Sequence, residues 1–263
     1  MSGYVGDENQ RLLQQRAELD FDWTMNTPGA CNMGRLIGTD DPERLGAAEI
    51  VRVLERDGAF GFRMIAPGTA EQTSLQMAHL GYHVAYWDMF SADAHTALQG
   101  SEAVLDGARG SDVTVVRLDA DADDAEAARF QRLMHANGIT PFSASFLRGN
   151  LGHAVTVGLE DASGVLLACG HAYLPHNRFS RYARYAWCGL IAVAAAARRR
   201  GLGTLVNAIS VRDAIRRLGA THVYEFVSPA NTASRRMVEA CGLSLNTGLQ
   251  GGIATRGQAR FTR

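Results

Sequence analysis

The sequence predicts an α/β (α+β) protein in two regions, and three observations carry that expectation. Residues 112–263 pass through strand and helix patterns in the order β, α, α, β, β, β, α, β, α, β, an arrangement that buries helix stripes against a sheet. The first hundred residues hold a shorter run of helix, strand, helix, strand that echoes the end of the chain, a degenerate half-repeat. Hydrophobic residues make up 46% and charged residues 20% of the 263. That is enough apolar material for a core, without the run of about 20 apolar residues that spans a bilayer. The start, MSGYVGDENQ, lacks the basic and then apolar stretch of a secretory signal, so the expected setting is the cytoplasm.

In chain order, residues 43–58 carry a helix pattern, 59–67 a strand, 71–81 a helix and 82–90 a strand. The polar, glycine-containing segment 101–112 is the expected boundary, with residues 1–110 as an N-terminal α/β region and 111–263 as a second domain. Beyond it, DVTVVRL (112–118) alternates as a strand, and residues 121–137 form a helix with acids in its first turn, favourable to the helix dipole. A short helix follows Pro141. Residues 153–160 and 164–175 read as a hairpin around Asp161–Gly164. YAWCGLIAVA, from Tyr185, is a long apolar run of the kind a central strand shows. Residues 201–219 form an amphipathic helix ended by Gly219, and 221–227 a strand that Pro229 blocks. Asn231 caps the next helix, and the tail from Gly251 to Phe261 offers a last strand.

The chain contains no lysine; all 26 basic residues are arginine. That excludes a Schiff-base lysine, a pyridoxal-phosphate anchor and a P-loop lysine. Cys31, Cys169, Cys188 and Cys241 have no metal-ligand rhythm, so buried reduced thiols and no metal site are expected. The net charge of −1 hides an asymmetry: residues 1–150 hold 12 Arg against 22 acids, and residues 151–263 hold 14 Arg against 5. Such a dipole points to an anionic ligand on the second half and to charge-driven packing of one half on the other. Nucleic acid is disfavoured, because the arginines are not interleaved with an aromatic stacking motif.

The most informative segment runs from Val193 to Thr204, where a buried strand meets Arg198-Arg199-Arg200-Gly201-Leu202-Gly203 and then a helix. A helix N-terminus presents unpaired N–H groups and partial positive charge, glycines let a pyrophosphate approach the backbone, and arginines at the lip add charge-assisted contacts. Such a turn also serves dinucleotides, but Val206 stands where the third glycine of GxGxxG belongs.

With these residues the chain resembles the GNAT superfamily of acyl-CoA-dependent N-acetyltransferases over about residues 112–263. Arg198, Gly201 and Gly203 match the family's Arg/Gln-x-x-Gly-x-Gly/Ala signature, and Val193 its preceding aliphatic residue; the usual proline is replaced by Ala195. Asn231, Ser234 and Gly242-Leu243 match the second signature. The resemblance implies a mixed, mostly antiparallel sheet flanked by helices, with acetyl-CoA as acyl donor. Its pantetheine arm would pair with the backbone of Ile191, Ala192 and Val193. Its pyrophosphate would rest on the turn from Arg198 through Arg199, Arg200, Gly201, Leu202 and Gly203 to Thr204, with Asn231 and Ser234 on the far side of the arm. Gly189 within the strand suggests a bulge or close backbone approach.

Transfer to an amine needs a neutral nucleophile, an oxyanion stabiliser and a proton for the leaving thiolate. Where the family often has a tyrosine this sequence has Val238, leaving Tyr224 or Tyr185 as substitutes, while Glu225 and His171 are the candidate bases. Alternation along a strand puts Tyr224 and Glu225 on opposite faces. The plainer readings stay open: His171 as a packing histidine, Glu225 as the partner of an arginine, and Arg178, Arg181 and Arg184 as an exposed basic loop. The expected activity is direct N-acetyl transfer to a small-molecule or peptide amine, with a cationic acceptor suggested by the acidic first half. The rival is a non-catalytic acyl-CoA-binding regulatory module; a homodimer is left open.

Overall fold

The computed structural model describes residues 3–108, 110 and 112–256. Its elements, in chain order, are α1 (Glu8–Leu19), α2 (Phe21–Asn26), β1 (Ala30–Asn32), β2 (Ile37–Thr39), α3 (Pro42–Leu45), α4 (Ala47–Asp57), β3 (Ala59–Ile65), α5 (Pro67–His79), β4 (His83–Asp93) and α6 (Ala94–Gly107). There follow β5 (Thr114–Arg117), α7 (Asp124–Ala136), α8 (Ala144–Leu147), β6 (Ala154–Glu160), β7 (Leu166–Tyr173), β8 (Tyr185–Val193), a 3₁₀ turn (Ala195–Ala197), α9 (Leu202–Arg216), β9 (His222–Val227), α10 (Thr232–Ala240) and β10 (Ser244–Thr255).

The strand and helix order expected from residue 112 onward is the order observed. Asp123 caps α7 by accepting the Glu126 N–H, and Asn231 caps α10 by accepting the Ser234 N–H. Gly219 follows α9 with φ +70°. Two boundaries differ. The polar segment 101–107 is the second half of α6, whose buried Ala97 belongs to the same core as Ala208, Val211 and Ala214 of α9. β10 begins at Ser244, before the expected tail strand, whose residues beyond Arg256 lie outside the described residues.

One mixed sheet runs β1-β2-β3-β10-β4-β9-β8-β7-β6-β5. Only β2–β3 and β8–β9 pair in parallel among the described residues. The last strand lies between β3 and β4, antiparallel to both, and β4 in turn lies between β10 and β9. The order β1, β2, α3, α4, β3, α5, β4 therefore matches β7, β8, 3₁₀ turn, α9, β9, α10, β10 about a pseudo-twofold axis between β4 and β10. This is the half-repeat echoed in the sequence, with one strand of each half enclosed by strands of the other.

Alternation along the strands divides the core between two faces. On one, Phe60, Phe62, Val84 and Ala254 pack with α4 and α5, and Cys188, Val223 and Val227 with α6, α9 and α10. On the other, Tyr173, Leu190 and Ala192 pack with α7 and α8. Ion pairs join the acidic and basic halves at Arg235–Asp88 (2.7 Å) and Arg216–Glu102 (2.7 Å).

Because β4 and β10 are each enclosed by strands of the other half, thermal unfolding followed by circular dichroism and by tryptophan fluorescence is expected to give one coincident transition. Phe62, fully buried beside Phe60, carries part of that core, and Phe62→Ala should cost about 3–5 kcal/mol. Two separate transitions would contradict this reading.

Candidate functional site

β8 and β9 pair only at Tyr185–His222, Ala186–Val223 and Trp187–Tyr224. Beyond Trp187, β8 continues to Val193 on β7 alone, and the two parallel strands part. The β7–β8 register shifts here, and Leu190 takes the left-handed conformation with φ +54°. The bulge therefore falls one residue past Gly189. Gly189 itself makes room for a neighbour, since a Cβ there would come within 2.4 Å of the Trp187 indole. The bulge also reverses the faces, so Ile191 and Val193 turn toward α9 and stay half-buried, whereas Ala192 turns into the α7–α8 core at 1% exposure.

The turn after β8 leads into α9 with Arg198, Arg199 and Arg200 exposed. Arg199 has φ +65° and Gly201, at the N-cap, φ +76°. No side chain caps α9, and its first backbone bond is Leu205 N–H to the Gly201 carbonyl (3.0 Å). The amides of Leu202, Gly203 and Thr204 therefore point out of the helix end. Arg198 is steadied by donating from Nη2 to Asn137 Oδ1 at the end of α7 (2.9 Å). A Cβ on Gly203 would sit 3.5 Å from Val193 and 3.9 Å from Met237, so this glycine lines a crevice between β8 and α10. Asn231 and Ser234 lie at the start of α10, where the Asn231 side chain is engaged in its cap (3.0 Å).

The pseudo-twofold mate of this turn has the opposite charge. Gly46, also uncapped, precedes α4, but Asp40, Asp41 and Glu43 stand where the other half carries arginines. A larger cavity of about 380 Å³ opens there, walled by those three acids and by Arg44 and Arg181. Its carboxylates disfavour a diphosphate there.

The candidate catalytic residues divide between the faces. Glu225, 3% exposed, lies among Cys188, Cys241 and α9, accepts from Asn207 Nδ2 (2.8 Å), and is pushed up to about 8 by burial. It pairs with no arginine among the described residues. His171 is fully buried on the other face among Phe142, Phe146 and Tyr173. Thr156 Oγ1 donates to the Leu147 carbonyl (2.6 Å), so His171 Nδ1–H donates to Thr156 Oγ1 (2.8 Å). Its Nε2 has no partner among the described residues, and burial lowers its pKa to about 3. His171 is thus enclosed and neutral, and it is not brought to Glu225.

Tyr224 heads a chain that the sequence did not reveal. Arg63 Nη1 donates to Tyr224 Oη (2.8 Å), Tyr224 donates to His176 Nε2 (3.1 Å), and His176 Nδ1–H donates to Asp40 Oδ2 (2.5 Å), which also accepts from Ser180 Oγ (2.5 Å). Arg63 Nη2 donates to Tyr173 Oη (2.7 Å). Burial raises the Tyr224 hydroxyl well above its usual range and lowers His176. On this same face a cavity of about 110 Å³ is walled by Arg35, Arg63, Trp87, Phe142, Trp187 and Phe226. The four cysteines are buried and free, as expected. Among the described residues there is no cluster of three or more metal ligands, and no helix long and apolar enough to cross a membrane.

Residues 117–243 match the sequence model of the Acetyltransferase (GNAT) family. No curated protein matches the sequence. Among solved structures, a GCN5-related N-acetyltransferase from Kribbella flavida superposes with a TM-score of 0.58 at 13% identity, over 94% of this chain and 96% of that one. A Drosophila protein gives 0.56 at 15% identity over 96% and 90%. A tandem GNAT protein from the clavulanic acid biosynthesis pathway gives 0.52 at 16% over 85% and 76%. These likenesses establish the fold.

The raised pKa of Glu225 has a consequence for stability. Folded, the carboxyl holds its proton up to about pH 8; unfolded, it releases it near 4.5. Between those values the folded state binds more protons, so stability falls as the pH rises through the window, by up to about 1.4 kcal/mol per pH unit. Glu225→Gln is expected to flatten that fall in urea denaturation at pH 5, 6.5 and 8. An unchanged slope would contradict the assignment.

Proposed function

From the premise that residues 117–243 form a GNAT acetyltransferase domain, we propose that the protein transfers an acetyl group from acetyl-CoA to the amine of a small molecule or peptide, directly and within a ternary complex. The observation that carries this reading is the uncapped, arginine-rimmed N-terminus of α9 at the mouth of the β8–β9 gap. Outward amides, a left-handed Arg199, the Gly201 cap and three exposed arginines give this turn the donors and positive charge a diphosphate calls for. In this proposal the amides from Arg199 to Thr204, with the Arg198 side chain, hold the diphosphate. The backbone of Ile191, Ala192 and Val193 pairs with the pantetheine arm, and Asn231 and Ser234 flank it.

Bound acetyl-CoA supplies an acyl group activated as a thioester. The chain's own groups supply the remainder. Beyond Trp187 the β8 edge that faces the gap has no strand partner, so its N–H groups are positioned to stabilise an oxyanion, about 3 kcal/mol for one such donor. The amine nitrogen forms its bond to the acyl carbon as the carbon–sulfur bond breaks, and the proton lost by nitrogen is balanced by one delivered to sulfur. Of the three candidate catalytic residues we assign this donation to Tyr224, whose hydroxyl is held by Arg63 and whose one proton must turn from His176 Nε2 to the sulfur, the proton shed by nitrogen then restoring it. Glu225, packed under α9, and His171, neutral and enclosed, serve structure in this reading. Val238, where the family often has tyrosine, is fully buried. Four buried, reduced cysteines favour a cytoplasmic setting, and the acyltransferase domain makes a purely regulatory CoA-binding role the weaker reading.

Gly203→Asp tests the proposal directly. The added Cβ meets only ordinary contacts, so the fold should survive, while the carboxylate crowds and repels the diphosphate. Calorimetric titration with CoA is expected to show affinity lowered at least tenfold, and Arg198→Ala a smaller loss; wild-type affinity in Gly203→Asp would refute the cradle.

A further inference from the structure

We propose that the acceptor is a small amine that also bears an anionic oxyacid group, a carboxylate in the first instance, bound by Arg63 and Arg35 in the cavity on the sheet face opposite α9. The inference rests on the acetyl-transfer reading and names the substrate class of that reaction.

The first ground is an uncompensated buried cation. Arg63 is 2% exposed, yet among the described residues no carboxylate touches it. Its hydrogen bonds go to neutral atoms: Met33 Sδ (2.8 Å), Tyr224 Oη (2.8 Å) and Tyr173 Oη (2.7 Å), three of the five donors a guanidinium has. The faces of Tyr173, Trp187, Tyr224 and Phe226 surround it at 5.3–5.6 Å, which offsets part of the cost of burial without neutralising the charge.

The second ground is convergence. Arg35, 9% exposed, borders the same cavity, donating from Nη1 to the Thr140 carbonyl (2.7 Å) with its guanidinium over the Phe142 ring. Burial, with some repulsion from Arg63, lowers its pKa to about 10, which leaves it charged at neutral pH. Arg35 and Arg63 border the same cavity, so an anion seated in it would meet both guanidinium groups.

The third ground is position. Trp187 belongs to β8 and Phe226 to β9, so two walls of the cavity are the strands that part beside it. An acceptor whose anionic end sits on the arginines has its amine free to face the gap and attack the acyl carbon. The cationic acceptor suggested by the acidic first half finds no acid on this wall among the described residues; Asp40, Asp41 and Glu43 line the separate cavity beside α3. Asp40 is taken up by His176 and Ser180, Asp88 by Arg235 and Glu102 by Arg216.

Calorimetry on the full chain, with and without CoA, tests this using matched amines: glycine against glycinamide, phenylalanine against phenylalaninamide, then O-phosphoethanolamine and putrescine. The expected result is that the carboxylates bind at least tenfold more tightly than their amides and than putrescine, and that Arg35→Gln reduces the preference to under threefold. Tighter binding of O-phosphoethanolamine than of either amino acid would keep the anionic site and replace carboxylate by phosphate. Equal binding of acid and amide by the wild-type protein, or binding of none of the probes, overturns the inference, and neither comparison depends on a variant folding. A parallel CoA titration separates the two readings: CoA binding without an anion preference defeats only the acceptor assignment, and an anion preference without CoA binding defeats only acetyl transfer.

Discussion

Three backbone pairs hold β8 to β9, and the site depends on there being no more. A parallel pair that continued to Val193 would seal the sheet and leave the N-terminus of α9 overlooking a closed surface. Because the strands part after Trp187 and Tyr224, the sheet has a gap that both faces reach. On one side lies the outward-pointing first turn of α9 with its arginines, on the other the aromatic cavity with Arg63 and Arg35. The left-handed Leu190 marks the change. A non-glycine residue in that conformation costs on the order of 1 kcal/mol, and it persists because β7 fixes the strand on both sides of the bulge.

The strand exchange sets where that gap sits in the molecule. With β10 enclosed by β3 and β4, and β4 by β10 and β9, the halves share one sheet, and residues from both reach the centre of the face opposite α9. Arg63 comes from β3, Trp87 from β4, Tyr224 and Phe226 from β9, and Trp187 from β8. The pseudo-symmetry is broken by charge: the turn before α9 carries Arg198–Arg200 and the turn before α4 carries Asp40, Asp41 and Glu43. A helix end surrounded by carboxylates loses its appeal to anions, so the two helix ends differ in the ligand charge they favour, and Asp40 of the first half is anchored by His176 of the second.

Much of this was legible in the sequence. The order of elements from residue 112, the cap at Asn231 and the glycine turn before α9 follow from local rules of periodicity and capping, which residues within a few positions of one another express. The echo between the two halves was visible because β3 and β9 both run into a proline. What was missed is non-local or short. β1 and β2 have three residues each, too few for any period. α6 was hidden by its glycines and polar face, although Ala97 and Ser101 bury it. The insertion of β10 into the other half leaves no trace in local pattern. The Arg63–Tyr224 and Asp40–His176 contacts join residues 161 and 136 positions apart, so only the fold brings them together, and nothing around Arg63 in the sequence distinguishes it from a surface arginine.

If the first turn of α9 grips a diphosphate with main-chain amides, amide hydrogen exchange reads those groups themselves. On addition of CoA, exchange at Leu202, Gly203 and Thr204 should slow by at least tenfold, with smaller effects along Ile191–Val193 and none at the acidic turn before α4. Unchanged exchange in that turn of α9, with saturating CoA present and protection appearing elsewhere, would contradict the account.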